Sequence, residues 1–301
     1  MSGKSIVSLL LLNLIWGSFY VANKFSLSTL SPLFVGTSVR FLAMLFLTVY
    51  IILKGDFRNL FNVKPVIHKL IIIGMLGFSL DITAFLGLQL STASNASILL
   101  KADVLFTNLI SVFVLKQKFT KKDWLLTGII LFGTFLVMDV DLTRFQLNGV
   151  GDFLFIASAF CVALNGFVIK SVQQDTRVNI RDTTVAFYNN GITFGIFFIL
   201  FLIYDKQVPF EQIESNNLVI YSLFYTGLMQ TAIYILYYYN LRMLQVWIVR
   251  IMLLLMPIVA SFTSFFVLGE TLDLFQIVGM ITVILGTMGI ILEHKGENKG
   301  E

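Results

Sequence analysis

Long apolar segments follow one another along almost the whole chain, with only short polar gaps between them. Each has 17 to 24 residues, and a helix of about 20 apolar residues crosses a hydrocarbon core of about 30 Å. Because lipid offers no partners for backbone N–H and C=O groups, we expect these segments to be helices. They lie at residues 5–26, 33–53, 70–90, 93–115, 124–140, 150–170, 183–204, 218–239, 244–267 and 274–293. The sequence therefore predicts an all-α membrane protein with ten transmembrane helices.

The composition agrees with burial in lipid. Apolar residues make up 57% of the 301 residues and charged residues 13%, whereas soluble globular chains carry about 25% charged residues. The chain therefore has about half of the charge that a water-facing surface requires. The gaps between the apolar segments are also too short to hold a soluble domain of ordinary size.

Two short sequences recur at an offset of 153 residues. Ser111–Leu115 reads SVFVL, Ser264–Leu268 reads SFFVL, and the Gly-Thr pair that begins at Gly133 returns at Gly286. About five predicted helices separate the copies, and an odd number of crossings turns the second copy upside down. Inverted repeats of this kind build many secondary transporters. We expect two inverted five-helix repeats and a short polar tail, at residues 1–145, 146–295 and 296–301.

The basic residues are distributed as a topology signal. Most of the 21 Lys and Arg residues fall on one side of the ten-helix arrangement, so the positive-inside rule predicts that both termini are cytoplasmic. The loop Lys116–Lys122 carries four lysines, whereas its counterpart Gly269–Phe275 carries no basic residue. The net charge of +4 therefore does not indicate a nucleic-acid site, and we expect a protein of a bacterial cytoplasmic membrane.

Several motifs resemble a known family. They are Trp16-Gly17, Arg40, Asn95-Ala96-Ser97, Pro257, Gly269-Glu270-Thr271-Leu272, Gly279 and Gly286. In this order the motifs resemble the ten-helix EamA-type members of the drug/metabolite transporter superfamily. The resemblance implies two inverted five-helix halves around a central cavity, and transport of small organic metabolites, often outward. The family usually has Pro and a Gly-Glu pair where this chain has Val104 and Lys116-Gln117.

Five of the charged residues within the predicted helices stand out as candidates: Arg40, Asp81, Lys101, Asp103 and Arg250. A charge at mid-membrane costs at least about 2.5–3.5 kcal/mol, so each one needs a partner, water or a function. We expect Arg40 and Asp81 to form a structural ion pair. Lys101 and Asp103 are two residues apart and point away from each other on a helix.

Lys101 shares a polar stripe with Ser94, Ser97, Asn108 and Ser111, which is typical of a cavity lining. Asp103 has mostly apolar neighbours. Asp103 either bonds one cation or carries a coupling proton. Asp81 is the other candidate for carrying a coupling proton.

Arg250 is the strongest candidate for substrate contact, because a guanidinium recognises a carboxylate or phosphate with two parallel hydrogen bonds. Trp247 lies three residues earlier on the same helix face. In the alternative interpretation, Arg250 extends its side chain to the cytoplasmic interface. Further polar residues line helix faces and serve either the cavity or helix–helix hydrogen bonds. They are Trp16, Asn165, Gln230 and Tyr234.

The residue pattern favours a transporter over an enzyme. The sequence has no complete phosphate-binding loop of the form GxxxxGK(S/T) and no histidine or cysteine cluster, so we expect no ATP hydrolysis and no cofactor. We predict a secondary transporter, by resemblance an exporter, of a small polar metabolite that is amino-acid-like or anionic. The alternative is a membrane-embedded ligand sensor or assembly partner without transport activity. Gly191 and Gly195 form a GxxxG pair, which indicates helix packing or a homodimer contact in the lipid.

Overall fold

A computed structural model describes residues 3–140, 149–205 and 216–294. The described residues form twelve α-helices joined by short turns, and no strand occurs among them. The helices are α1 Gly3–Leu27, α2 Pro32–Leu53, α3 Ile67–Leu90, α4 Ala93–Leu99, α5 Ala102–Leu109, α6 Lys121–Val137, α7 Val150–Gln173, α8 Asp182–Leu200, α9 Asn217–Met243, α10 Val246–Met252, α11 Met256–Leu268 and α12 Leu274–Glu293. The predicted boundary at 145/146, the tail 296–301 and the side chain of Ser94 lie outside the described residues.

Nine segments of the described chain are long and apolar enough to cross a membrane. Two of them each contain two of the short helices in sequence, Asn95–Val114 and Val246–Leu268. The predicted fifth helix corresponds to α6, which has 17 residues and so spans about 26 Å. This length is at the lower limit for a crossing. The all-helical membrane fold is thus confirmed, whereas the count of ten stays a prediction.

The helices group into two compact units. One comprises residues 1–17, 80–164 and 243–301, and the other comprises residues 18–79 and 165–242. Each unit draws on both predicted sequence halves, because the unit boundaries fall within α1, α3 and α7. The predicted repeats are therefore continuous stretches of the chain, whereas each compact unit combines segments from both repeats.

In the second unit, small residues let helices approach closely. A Cβ added at Gly74 would lie 2.5 Å from Ile192 Cβ, and one added at Gly77 would lie 2.5 Å from Asn189 Oδ1. Gly191 faces the Met44 side chain, with its added Cβ 3.2 Å from Met44 Cε. The Gly191 end of the GxxxG pair therefore serves packing within the chain, and a homodimer contact stays a prediction.

In the first unit, α6 and α12 pack closely along their length. A Cβ added at Gly279 would lie 2.7 Å from the carbonyl oxygen of Gly133, and one added at Gly286 would lie 2.5 Å from Ile130 Cγ1. These glycines therefore bring two helix backbones into contact, which is the usual source of helix association in lipid.

Helix ends recur at the sequence offset of 153 residues. Thr120 caps α6 and Asp273 caps α12, each within a capping box that satisfies free N–H groups. Before each cap, one residue adopts a left-handed conformation: Lys116 with φ 51° and Gly269 with φ 69°. The residue after it donates its N–H to the carbonyl of Ser111 or of Ser264. The same local structure thus ends both SVFVL-like segments.

Replacing Lys116 by Gly is expected to raise the free energy of unfolding by about 1 kcal/mol. A side chain in the left-handed region costs about 1–2 kcal/mol, and the greater conformational entropy of glycine in the unfolded chain offsets part of this gain. Denaturant titration in mixed micelles measures the change. The reciprocal variant Gly269→Lys, at the matched position, should lose a similar amount. Equal stability of Lys116→Gly and the parent would contradict the expectation.

Candidate functional site

Two membrane segments are interrupted at corresponding positions. Between α4 and α5, the N–H groups of Lys101, Asp103 and Val104 each bond a carbonyl three residues earlier, so the helix tightens locally. Between α10 and α11 the turn Leu253–Leu255 is a 3-10 helix. Leu100 and Leu253 are separated by the repeat offset of 153 residues.

The two interruptions have different local causes. Pro257 stands in the first turn of α11, and proline removes a helical hydrogen bond just upstream. The first interruption forms without proline, since Val104 occupies that place. Irregular backbone at membrane depth is tolerated where it lines a cavity or is buried in protein, so matched interruptions indicate a binding region.

An ion pair joins the two interrupted segments. Arg250 Nη1 lies 3.6 Å from Asp103 Oδ2, and Arg250 Nη2 donates to the carbonyl of Val162 at 2.9 Å. Arg250 stands in the last turn of α10 and Asp103 in the first turn of α5, so each charge is favoured by its own helix dipole. Arg250 is 8% exposed. Its contact with a substrate anion stays a prediction.

Lys101 lies beside this pair and immediately precedes α5. The charges of Asp103 and Arg250 both act on its ammonium group. Lys101, Asp103 and Arg250 therefore form one electrostatic group, which we call the charged triad. It contains two basic side chains and one acidic side chain.

A polar cluster follows the triad on the same segment. Thr107, Asn108 and Ser111 are each 0% exposed, and their side-chain polar atoms have no hydrogen-bond partner in the structure. The backbone from Ile110 to Val114, which includes Ser111, forms a π-helical turn. Such turns occur frequently at functional sites. Of the predicted polar stripe, Asn108 and Ser111 thus belong to a buried group.

Asp152 is a partner that the sequence interpretation missed. Its carboxylate accepts both contacts of the Asn95 amide at 2.9 Å and the hydroxyl of Ser91 at 2.5 Å. Asp152 stands in the first turn of α7, where a negative charge is favoured. Asn95 of the Asn95-Ala96-Ser97 motif therefore links α4 to α7 by hydrogen bonds. In the sequence, the only indication of this role was that Asp152 directly follows a glycine at the start of a predicted helix.

Trp247 contacts a different group from the triad. Its indole N–H donates to Gln245 Oε1 at 2.5 Å, and its ring packs edge-on against Phe119 and His294. The His294 Nε2 atom in turn lies 2.8 Å from Asp123 Oδ1. These contacts explain the complete burial of Trp247 as packing, and a substrate contact stays a prediction.

The other candidate residues take part in several contacts. In the second unit, the Asn165 amide donates to the carbonyl of Ile73 at 2.8 Å, and the Arg40 guanidinium donates to the Tyr234 hydroxyl. Gln230 is half-buried on the same helix as Tyr234. The Arg40–Asp81 pair stays a prediction.

In the first unit, Trp16 is half-buried. A Cβ added to its neighbour Gly17 would lie 2.7 Å from Val259 Cβ. The Trp16-Gly17 motif therefore marks a close approach of α1 to α11.

Comparison with known proteins gives consistent matches. The model of the EamA-like transporter family matches residues 3–139 and again residues 149–292. An uncharacterized transporter of Archaeoglobus fulgidus is 27% identical over 95% of this chain and 85% of its own length. A probable amino-acid metabolite efflux pump of Salmonella typhimurium is 25% identical over 95% of this chain and 94% of its own length.

A similarly named probable amino-acid metabolite efflux pump of Escherichia coli is also 25% identical, over 95% of this chain. One solved crystal structure superimposes with a TM-score of 0.81 over 99% of this chain and 100% of its own, at 11% identity, and so shares the fold. Together with the membrane-length helices, the two family matches identify an integral membrane protein: the chain belongs to the EamA-like transporter family.

Proposed function

We propose that this protein is a secondary transporter that exports a small amino-acid-like metabolite by alternating access. The observation that carries the proposal is the buried ion pair between Asp103 and Arg250, placed where two membrane segments are interrupted. Charges at membrane depth are retained chiefly for function, and interrupted helices are the best structural indication of a transporter binding site.

The charged triad suits a zwitterion. Asp103 can accept the ammonium group of an amino acid, while Arg250 and Lys101 can bind its carboxylate. The Arg250–Asp103 separation of 3.6 Å exceeds the length of about 2.7–2.9 Å of a tight charged hydrogen bond. A ligand can therefore separate the two side chains and supply each of them with its own counter-charge.

The relatives support the substrate class and the direction. Two of them are named probable amino-acid metabolite efflux pumps, and export of an amino-acid-like molecule by this chain follows by similarity. Two inverted five-helix repeats are supported by the paired capping boxes, the paired left-handed residues and the two family matches. We further place both termini in the cytoplasm and the protein in a bacterial cytoplasmic membrane, in accord with the basic loops.

Counterflow in sealed proteoliposomes tests the proposal. Vesicles loaded with a mixture of unlabelled amino acids should accumulate an externally added radiolabelled amino acid of the accepted kind. The decarboxylated amine and the deaminated acid of that amino acid should compete at least about tenfold less well, because each leaves part of the triad without its counter-charge. A tenfold difference corresponds to about 1.4 kcal/mol.

Empty vesicles and vesicles with heat-denatured protein provide the controls. Absence of counterflow with every amino acid would refute the transport proposal. If ligands nevertheless raised the melting temperature of the protein, the result would favour a sensor. Equal competition by the amine alone would refute zwitterion recognition. If flux depends on a proton gradient, either Asp103 or Asp81 carries the proton. The Asp→Asn variant of the residue that carries it should abolish the dependence on the gradient, and the other variant should retain it.

A further inference from the structure

The polar cluster of Thr107, Asn108 and Ser111 is the most unusual feature of the described chain outside the charged triad. All three residues are completely buried. The Asn108 amide lacks a partner for both its oxygen and its nitrogen, and both hydroxyl groups lack one as well. The three residues occupy one side of the segment, since Thr107 and Ser111 are four residues apart and Asn108 and Ser111 are three apart.

Such a cluster is costly unless something binds to it. A buried polar group without a hydrogen bond is destabilising, and this cluster holds four such atoms within about one helical turn. Other buried polar residues show the usual solution: the Asn165 amide donates to a carbonyl, and so does the Thr134 hydroxyl. Thr107 forms no such bond to its own helix.

The chemistry of the cluster indicates the kind of ligand. An amide nitrogen donates, an amide oxygen accepts, and hydroxyl groups do both. An inorganic cation would use the oxygens and leave the Asn108 nitrogen unsatisfied. An apolar group would leave all four atoms unsatisfied. A neutral group with both a donor and an acceptor, such as a carboxamide or a hydroxyl, would satisfy the set.

We propose that Thr107, Asn108 and Ser111 form the subsite that binds the side chain of the transported amino acid and selects a carboxamide or hydroxyl group there. The inference rests on the proposed transport function, because it places the ammonium and carboxylate groups at the charged triad. Thr107 and Asn108 lie four and five residues after Asp103, which is about 6 to 7.5 Å along a helix. That distance suits a polar side chain of a few bonds.

The location at a π-helical turn supports the assignment. Residues 110–114, which include Ser111 of the cluster, form the π-helical turn, and π turns occur frequently at functional sites. The cluster is closed from solvent in this structure, so the ligand must enter in another state of the transport cycle. The unsatisfied polar atoms of the cluster would then destabilise this closed state relative to the open state.

The test compares amino acids of similar shape in counterflow with the full-length protein. L-Glutamine should be exchanged at least about tenfold more efficiently than L-methionine, and L-threonine more efficiently than L-valine, because a site built for hydrogen bonds rejects analogues that lack them. Asn108→Leu should reduce the glutamine-to-methionine ratio by about tenfold or more. Thr107→Val should do the same for the threonine-to-valine ratio.

Melting temperature gives a second readout that does not depend on transport. Asn108→Leu should raise it by about 2–4 °C, because the variant removes an unsatisfied amide at similar volume. Asn240→Leu is the matched control. Asn240 is also completely buried, but its amide nitrogen donates to the carbonyl of Leu236 at 2.8 Å. Because Asn240→Leu removes this hydrogen bond, it should not raise the melting temperature as Asn108→Leu does, and it should leave selectivity unchanged.

The outcomes separate this inference from the proposed function. Counterflow of amino acids without preference for polar side chains, or with a preference that Asn108→Leu leaves unchanged, overturns the subsite and leaves the transporter standing. A lower melting temperature of Asn108→Leu also overturns it, since the amide would then be satisfied by water or protein. Absence of all amino-acid counterflow refutes the proposed function, and the subsite falls with it.

Discussion

Asp103→Leu is expected to lower the free energy of unfolding by about 3–5 kcal/mol, the usual cost of leaving a buried charge without its partner. The variant leaves both Lys101 and Arg250 as buried cations. Arg250→Met should lower the free energy of unfolding by a smaller amount, because Asp103 then still has the cation Lys101 as a neighbour. The measurement is denaturant titration in mixed micelles, with counterflow in parallel, and both variants should lose amino-acid exchange.

The double variant identifies the interaction itself. Asp103→Leu combined with Arg250→Met should be less destabilised than the sum of the single variants, by about 0.5–3 kcal/mol, because neighbouring charges are coupled. Arg177→Met is the matched control. Arg177 pairs with Asp175 at 2.7 Å but is 60% exposed, and exposed ion pairs add little stability. Strict additivity in the double variant would mean that the pair does not interact.

Asp123→Ala is the second variant with a large expected effect. The Asp123 carboxylate accepts the backbone N–H of Thr120 at 2.7 Å and its hydroxyl at 2.9 Å, and it contacts His294 Nε2 at 2.8 Å. Its removal should cost about 2–4 kcal/mol, because it removes the buried hydrogen bond with His294 as well as the capping box of α6. Thermal unfolding in detergent measures the loss.

Two further variants separate the contributions of the cap and of the His294 contact. Asp273→Ala removes the exposed N-cap of α12, the counterpart of Thr120 rather than of Asp123, and should cost about 1 kcal/mol. His294→Ala leaves the cap of α6 intact but removes the contact with Asp123. If Asp123→Ala were no more damaging than Asp273→Ala, the His294 contact would add nothing. Counterflow should persist in Asp273→Ala, because the cap is remote in sequence from the charged triad.

The membrane fold could be predicted because its signals are local. Runs of about 20 apolar residues, short gaps and the low charge identify helices in lipid without any long-range information. The offset of 153 residues between Ser111 and Ser264 predicted a repeat, and helix caps and interruptions recur at the same offset in the structure. The length of α6 was less certain, since its 17 residues lie near the limit for a crossing.

The partners of the polar residues were much harder to predict. Asp103 was expected either to bond one cation or to carry a proton, and Arg250 to meet a substrate anion or to reach the interface. The structure brings the two residues together at 3.6 Å. Asp152 was not anticipated as the partner of Asn95, and Trp247 lies against Phe119 and His294. The left-handed conformation of Lys116, which glycine adopts more readily, was also not anticipated.

The sequence by itself determined the membrane class, the helical segments and which few residues carry charge within them, because each of these depends on residues adjacent in the chain. Only the tertiary structure decided which charge meets which, since Asp103 and Arg250 come from segments far apart in sequence. In lipid, apolar faces do not select their partners by hydrophobicity. Close packing at residues such as Gly133 and Gly279 fixes the neighbours instead, and with them the pairing of every buried polar group.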